Sequence, residues 1–249
     1  MQIIACYSNK GGVGKTATAV NLAYAFAASG RRTLLCDLDP QGASGFYFRV
    51  KPSGKLTEAR FFGDTDRVAK SIRGSDYDNL DILPANMAFR DFDIFLSRMK
   101  DGRSQLKKVL KSVKSDYDVA LLDCPPNISM LSENVFRAAD AVVVPLIPTT
   151  LSQRTFEQLQ TFFRENNLQE KKIHAFFSMV QGVKNLHHDV IAEMTQAWPE
   201  RFMQSQIPFA SEIERMGLTR APVLATSWQG PASQAYQALS DELDRRMNE

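Results

Sequence analysis

The sequence predicts an α/β fold, a single-domain doubly wound sheet, mostly parallel and flanked by helices. Three observations carry that expectation. Short β-branched apolar runs alternate with longer amphipathic segments along the whole chain. The apolar runs, such as AVVVPLI at 141–147, lack strict polar alternation, so they suit strands buried on both faces. A glycine-rich turn, NKGGVGK at 9–15, joins the first run to the first amphipathic segment.

QIIACYS (2–8) reads as the first strand. Residues 15–29 follow as a helix closed by Gly30, a residue suited to the left-handed position after a helix. RTLLCDLD (32–39) and LDILPAN (80–86) read as strands. Residues 103–114 form an amphipathic helix, with Leu106, Val109, Leu110 and Val113 on one face and Lys107, Lys111 and Lys114 toward the other. DVALLDCPP (118–126) is a strand with a helix after it near 129–138, and AVVVPLI is a strand with a helix near 152–166. KIHAFFSMV (172–180) and RFMQSQIP (201–208) are strands with a helix near 187–198 between them. A last helix runs from Ala232 to Arg246. No repeat, low-complexity tract or linker interrupts the pattern, so residues 1–249 are expected to form one domain.

The 249 residues are 44% hydrophobic and 23% charged, enough for one substantial core. No stretch approaches the roughly 18 apolar residues of a spanning helix. The opening MQIIACYS lacks the basic and apolar regions of a signal peptide. A cytoplasmic location without membrane attachment is expected. Cys6, Cys36 and Cys124 are widely spaced and fit reduced core thiols. His187 and His188 have no third ligand at metal-binding spacing and read as a solvated loop or helix start. Net charge is +2, but residues 49–114 hold 15 Lys/Arg against 9 Asp/Glu, which makes the middle of the chain its basic part.

The turn after the first strand fits the end of a phosphate-binding loop, G-x-x-x-x-G-K-[ST], at Gly14-Lys15-Thr16. The motif's first glycine would fall at position 9, where Asn9 stands, and an extra lysine, Lys10, follows. Gly11, Gly12 and Gly14 let the backbone of Lys10–Ala17, Val13 included, wrap phosphates with its N–H groups. The helix end adds partial positive charge. Lys15 is expected to reach the β- and γ-phosphates of a nucleotide, and Thr16 to ligate Mg²⁺. Asp123 closes four apolar residues at a strand end, the form of a Walker B site for Mg²⁺. Asp37 and Asp39 in CDLDPQG lie two apart, so they would share a face of an extended strand. The sheet alone does not say which of them approaches Mg²⁺ and the γ-phosphate.

KGGVGKT, DLDPQG and LLDCPPN together resemble the ParA/MinD family of deviant Walker A ATPases. The likeness continues through LPAN (83–86), ADAVVVPLIPTTLSQRTFEQL (139–159) and a C-terminal IP…APV…QAYQALSDEL, and DLDPQG with that ending places the chain nearer ParA than MinD. The resemblance implies an Mg²⁺-dependent ATPase with a slow intrinsic rate that pairs as an ATP-dependent homodimer. It makes Lys10 the signature lysine that reaches the partner's phosphates. It puts the water-positioning role on Asp39, a residue near Mg²⁺, and leaves Asp37 to support the loop. It sets the adenine against Met179, Val180, Pro208 and Phe209. It also implies non-specific binding to nucleoid DNA and a ParB-like or other cargo adaptor that stimulates hydrolysis, so that plasmid, chromosome region or protein assembly is positioned.

The chain departs from many ParA sequences in IPFASEIERMGLTRAPV, where Phe209 and Glu212 stand at positions that bases would favour. Arg215, Arg220 and Lys184 are the candidate DNA contacts, and the Lys107, Lys111 and Lys114 face is an alternative. A MinD-like membrane-associated positioning ATPase is the rival reading. It requires a terminal amphipathic helix with a large apolar face, whereas SDELDRRMNE is acidic and polar. A cluster carrier would require paired cysteines, and this chain has no Cys pair. Because the chain opens on its first strand, no helix-turn-helix extension and no sequence-specific DNA reading are expected.

Overall fold

The computed structural model describes all 249 residues. Eight strands form one sheet: β1 (Gln2–Cys6), β2 (Thr33–Asp37), β3 (Arg73–Gly74), β4 (Leu80–Leu83), β5 (Val119–Asp123), β6 (Ala141–Leu146), β7 (Ile173–Val180) and β8 (Phe202–Pro208). Their spatial order is β3, β4, β2, β5, β1, β6, β7, β8. Every pairing is parallel except that of the edge strand β3 with β4. The chain works outward from β1 to one edge, returns through β5, and then builds the other edge. The carboxyl ends of β1, β5 and β2 therefore lie side by side, with Cys6 and Asp37 both in register with Asp123. Ligands of such sheets bind beyond that edge.

The helices are α1 (Lys15–Ala28), α2 (Ala43–Tyr47), α3 (Glu58–Gly63), α4 (Thr65–Ala69), α5 (Phe92–Arg98), α6 (Gln105–Ser112), α7 (Met130–Ala138), α8 (Thr150–Glu165), α9 (Asn185–Ala197), α10 (Ser211–Thr219), α11 (Val223–Thr226) and α12 (Pro231–Asn248). They cover both faces of the sheet. In β1, Ile4 and Cys6 belong to the core cluster shared with α1 and α12, while Ala5 joins the cluster shared with α6, α7 and α8. Successive strand residues point to opposite faces, and here both faces are apolar, which is why polar alternation is missing. All three cysteines are free and buried in these layers, as expected.

Strands end earlier than their apolar runs. The run at 118–126 is a strand only to Asp123, because Pro125 and Pro126 bring no N–H to a ladder. The run at 32–39 stops at Asp37, so Asp37 and Asp39 do not share a strand face. Of the two readings of His187 the helix start holds, since it lies in the first turn of α9, but the side chain is buried rather than solvated and its Nδ1 accepts the Gln181 N–H at 3.1 Å. The final helix, α12, packs its apolar residues Tyr236, Leu239 and Leu243 into the core, and its Glu242 carboxylate accepts the Gln204 and Ser205 N–H groups on β8 at 2.7 and 2.8 Å. No helix is long and apolar enough to cross a membrane.

Candidate functional site

The loop from Asn9 to Gly14 leaves the carboxyl end of β1 and enters α1. Gly14 takes a left-handed conformation (φ 91°, ψ 20°) and Gly12 has φ 72°, angles that L side chains rarely adopt. A Cβ on Gly14 would stand 3.1 Å from Ser178 Oγ, so β7 presses against the loop there. A Cβ on Gly11 or Gly12 would meet nothing within 4 Å. That open side is a cradle. No side chain caps the amino end of α1, and no acidic residue sits in its first turn, so its free N–H groups suit an anion.

Lys15 turns inward. It is only 7% exposed, and its Nζ donates to the Lys10 carbonyl at 3.1 Å. Burial lowers its pKa, while the carboxylates of Asp123 and Asp39 act to raise it. Lys10 differs. It is half-buried, its backbone N–H donates to Ser8 Oγ at 3.4 Å, and it forms no ion pair with a carboxylate of its own chain. The two lysines of the loop are thus separated in environment.

Asp123 is fully buried at the end of β5. Its Oδ2 accepts the Ser44 hydroxyl at 2.8 Å, and its Oδ1 has no hydrogen-bond partner. Burial pushes its carboxyl up from 3.8 to about 6, against the Ser44 and Thr16 hydroxyls, which favour the charged form. A buried carboxylate oxygen without a donor beside the loop threonine fits a hard cation. No group of three or more His, Cys, Asp or Glu side chains forms a cage. Mg²⁺ suits such a site, because it usually binds through one or two carboxylates, waters and substrate phosphates.

Asp37 acts on the backbone. Its Oδ1 accepts the Asp39 N–H at 3.1 Å, and its Oδ2 accepts the Ser44 and Gly45 N–H groups at 3.0 and 3.3 Å. These bonds fold the chain off the strand and hold the start of α2. Burial, then the nearby Asp123, raises the Asp37 pKa well above the carboxylate range. Asp39, beyond the strand, is half-buried, and its Oδ1 accepts the Gln41 N–H at 3.0 Å.

Met179 and Pro208 occupy the neighbouring ends of β7 and β8, where the Phe209 N–H donates to the Val180 carbonyl at 2.9 Å. Met179 has φ 55°, a left-handed angle, and its methyl lies 3.9 Å from a Cβ built on Gly14. Met179 thus stands beside the loop, with Pro208 on the next strand. The candidate DNA contacts are apart from it. Lys184, before α9, and Arg215, on α10, are exposed. Arg220 ends α10 with its guanidinium 4.6 Å over the Phe46 ring and its Nε donating to the Phe46 carbonyl at 3.0 Å. Of the three, Arg220 already has a partner within the chain. Sequence reasoning missed Ser44 and Ser178. Ser44 is the second residue of α2, two positions past the DLDPQG turn, and its hydroxyl goes to Asp123 rather than to the helix end, so no local signal marks it.

A family profile described as an AAA domain matches residues 1–176. An uncharacterised protein of Pseudomonas putida is 31% identical over 98% of this chain and 95% of its own length. The chromosome partitioning protein ParA of Myxococcus xanthus is 29% identical over 98% of this chain and 88% of its own. Among solved structures, cobyrinic acid a,c-diamide synthase from Mycobacterium smegmatis with bound ADP and magnesium superposes with a TM-score of 0.82 at 25% identity, covering 100% of this chain and 96% of that one. A putative plasmid partition protein of Borrelia burgdorferi bound to AMPPNP superposes with a TM-score of 0.83 at 20% identity over 98% of each chain, a likeness of fold.

Proposed function

The chain belongs to the ParA/MinD family of deviant Walker A ATPases, and from that premise we propose that it is an ATP-driven switch that positions or segregates an intracellular cargo. The coarse part, a P-loop ATPase of the partition type, rests on its relatives. The finer part is a cycle. Residues 1–249 act as one ATPase domain that pairs on ATP, holds nucleoid DNA without sequence preference in the cytoplasm, and lets go when a ParB-like or other adaptor on the cargo stimulates slow hydrolysis.

The residues divide the work. Backbone N–H groups of Lys10–Ala17 bind the phosphates, and Lys15 neutralises them within its own subunit. Thr16 and Asp123 would hold Mg²⁺, with Asp39 near it. Mg²⁺ supplies charge neutralisation on the phosphates. Asp39, anchored by the Asp37 network, orients the attacking water. Met179 and Pro208 flank the adenine. Lys10 serves the nucleotide of the partner subunit, a cation in trans of the kind worth roughly 10³–10⁵ in rate in other NTPases.

The observation that carries this is the contrast between the two lysines: Lys15 is buried against its own loop, and Lys10 has no anionic partner in its own chain. Sedimentation velocity with ATP, ADP or no nucleotide tests the cycle. A dimer with ATP and Mg²⁺ only is expected; a monomer in all three conditions would refute it.

The membrane-associated alternative is disfavoured because the apolar face of α12 is already buried against the sheet. Co-sedimentation with liposomes in ATP checks this, and no pelleting is expected.

A further inference from the structure

The edge of the sheet opposite the phosphate loop carries a feature that the ATPase does not use. At the amino ends of β1 and β6 a cleft of about 360 Å³ opens beside α6 and the end of α7. Five cations line it, Lys107, Lys111, Lys114, Arg137 and Lys172, against one carboxylate, Asp140. That carboxylate is engaged, because its Oδ2 accepts the Ile3 N–H at 2.9 Å. Arg137 pairs with Glu133 at 2.7 Å, but none of the four lysines forms an ion pair. Lys172 is half-buried, with its Nζ donating to the Ala139 carbonyl at 2.6 Å. Burial lowers its pKa, Asp140 acts to raise it, and Lys107 and Lys171 press downward. Cations outnumber carboxylates in the lining five to one.

We propose that this cleft, rather than Lys184, Arg215 and Arg220, is where the chain holds the phosphate backbone of double-stranded DNA. The proposal rests on the nucleoid reading above and assigns it a surface. Lys107 and Lys111 stand about 6 Å apart along the helix axis, and Lys114 continues the row in the turn beyond α6. Duplex DNA carries a phosphate about every 3.4 Å of axis on each strand, so such a row meets several of them. Lysine ammoniums are point charges without a bidentate fork, which suits contact with phosphates and no base reading. An acidic protein segment is the competing polyanion. Protein partners, however, anchor through apolar hot spots, and the exposed large hydrophobics, such as Phe209, Leu218 and Trp228, lie outside the cleft.

The position also fits the cycle. Strand β1 separates the cleft at its amino end from the phosphate loop at its carboxyl end, so DNA and nucleotide do not compete. A dimer that pairs carboxyl edges leaves both clefts facing outward. Pairing then joins two clefts in one particle, and avidity links DNA retention to ATP.

The test is equilibrium binding of full-length protein to a fluorescent duplex in ATP and Mg²⁺, over a salt series. Three proteins are compared: wild type, Lys107→Ala/Lys111→Ala/Lys114→Ala, and Lys184→Ala/Arg215→Ala/Arg220→Ala. Thermal melting confirms that each is folded. The cleft variant is expected to lose affinity at least about tenfold near 0.1 M salt, and its log–log salt slope to shrink by roughly 2.7, or about 0.9 per lost contact. The other variant is expected to stay near wild type. If wild type binds and the cleft variant binds equally, the proposal is wrong and the nucleoid reading stands. If wild type does not bind DNA, the nucleoid reading fails and this proposal with it. Binding of poly-glutamate but not DNA, lost in the cleft variant, would assign the cleft to an acidic protein and also overturn the proposal.

Discussion

Ser44 ties the two buried carboxylates of the site together: its N–H donates to Asp37 at 3.0 Å and its hydroxyl to Asp123 at 2.8 Å. The turn after β2 is thereby fastened to the end of β5. Ser44→Ala removes a donor from Asp123 in a fully buried setting. Loss of about 1–3 kcal/mol of stability is expected by urea denaturation. The same substitution on an Asp123→Asn background should cost less, because no buried carboxylate is then stranded.

Asp123 gives the nucleotide-free protein a pH signature. Its carboxyl is raised from 3.8 to about 6, first by burial. The folded state thus binds the proton more tightly than the unfolded state. That contribution to stability is full below about pH 4 and is lost as pH rises toward 6. Asp123→Asn should therefore raise the melting temperature at pH 7 to 8 and change it little below pH 4. It should also abolish the enhancement of ATP binding by Mg²⁺, read by titration calorimetry.

Gly14 and Gly11 are predicted to fail differently. Gly14→Ala meets both a left-handed φ and Ser178 Oγ at 3.1 Å, so it should lower stability by about 1 kcal/mol or more. Gly11→Ala has open space. It should melt near wild type yet lose nucleotide affinity, because its methyl enters the phosphate cradle. Differential scanning fluorimetry with and without ATP separates the two.

Arg220 sits at φ 50° and stacks on Phe46. Arg220→Ala loses the stacking and keeps the backbone strain. Arg220→Gly loses the stacking and relieves the strain, worth about 1 kcal/mol. The glycine variant is expected to melt higher than the alanine variant.

The parallel sheet and its long helices were legible because apolar runs buried on both faces leave a strong pattern. The loop at 9–16 was legible because its chemistry is local. The short helices α2 to α5, α10 and α11 were not, since their few turns are fixed by tertiary partners such as Asp37 and Asp93, the latter of which accepts the Leu131 N–H at 2.8 Å. The place where β2 ends was equally hidden: nothing local marks Asp37 as a backbone acceptor. Ser44 and Ser178 carry no periodic signal, and only folding brings them to Asp123 and Gly14. The basic cleft joins α6, α7 and the turn before β7, so the lysine face at 107–114 was visible while Arg137 and Lys172 beside it were not.

Asp39→Ala should bind ATP and pair, yet hydrolyse slowly. Paired with Lys10→Ala, it gives the most direct test of a lysine acting across the interface. Each variant alone is expected to have little ATPase activity. Mixed at equal concentration in ATP and Mg²⁺, they form heterodimers in which one nucleotide meets an intact Asp39 from its own chain and an intact Lys10 from the other. Recovery of steady-state ATPase on mixing, up to roughly half the sites of such dimers, is the predicted result. No recovery, in a mixture that co-purification through a tag on one variant shows to contain heterodimer, would place Lys10 in its own subunit's site and contradict the account.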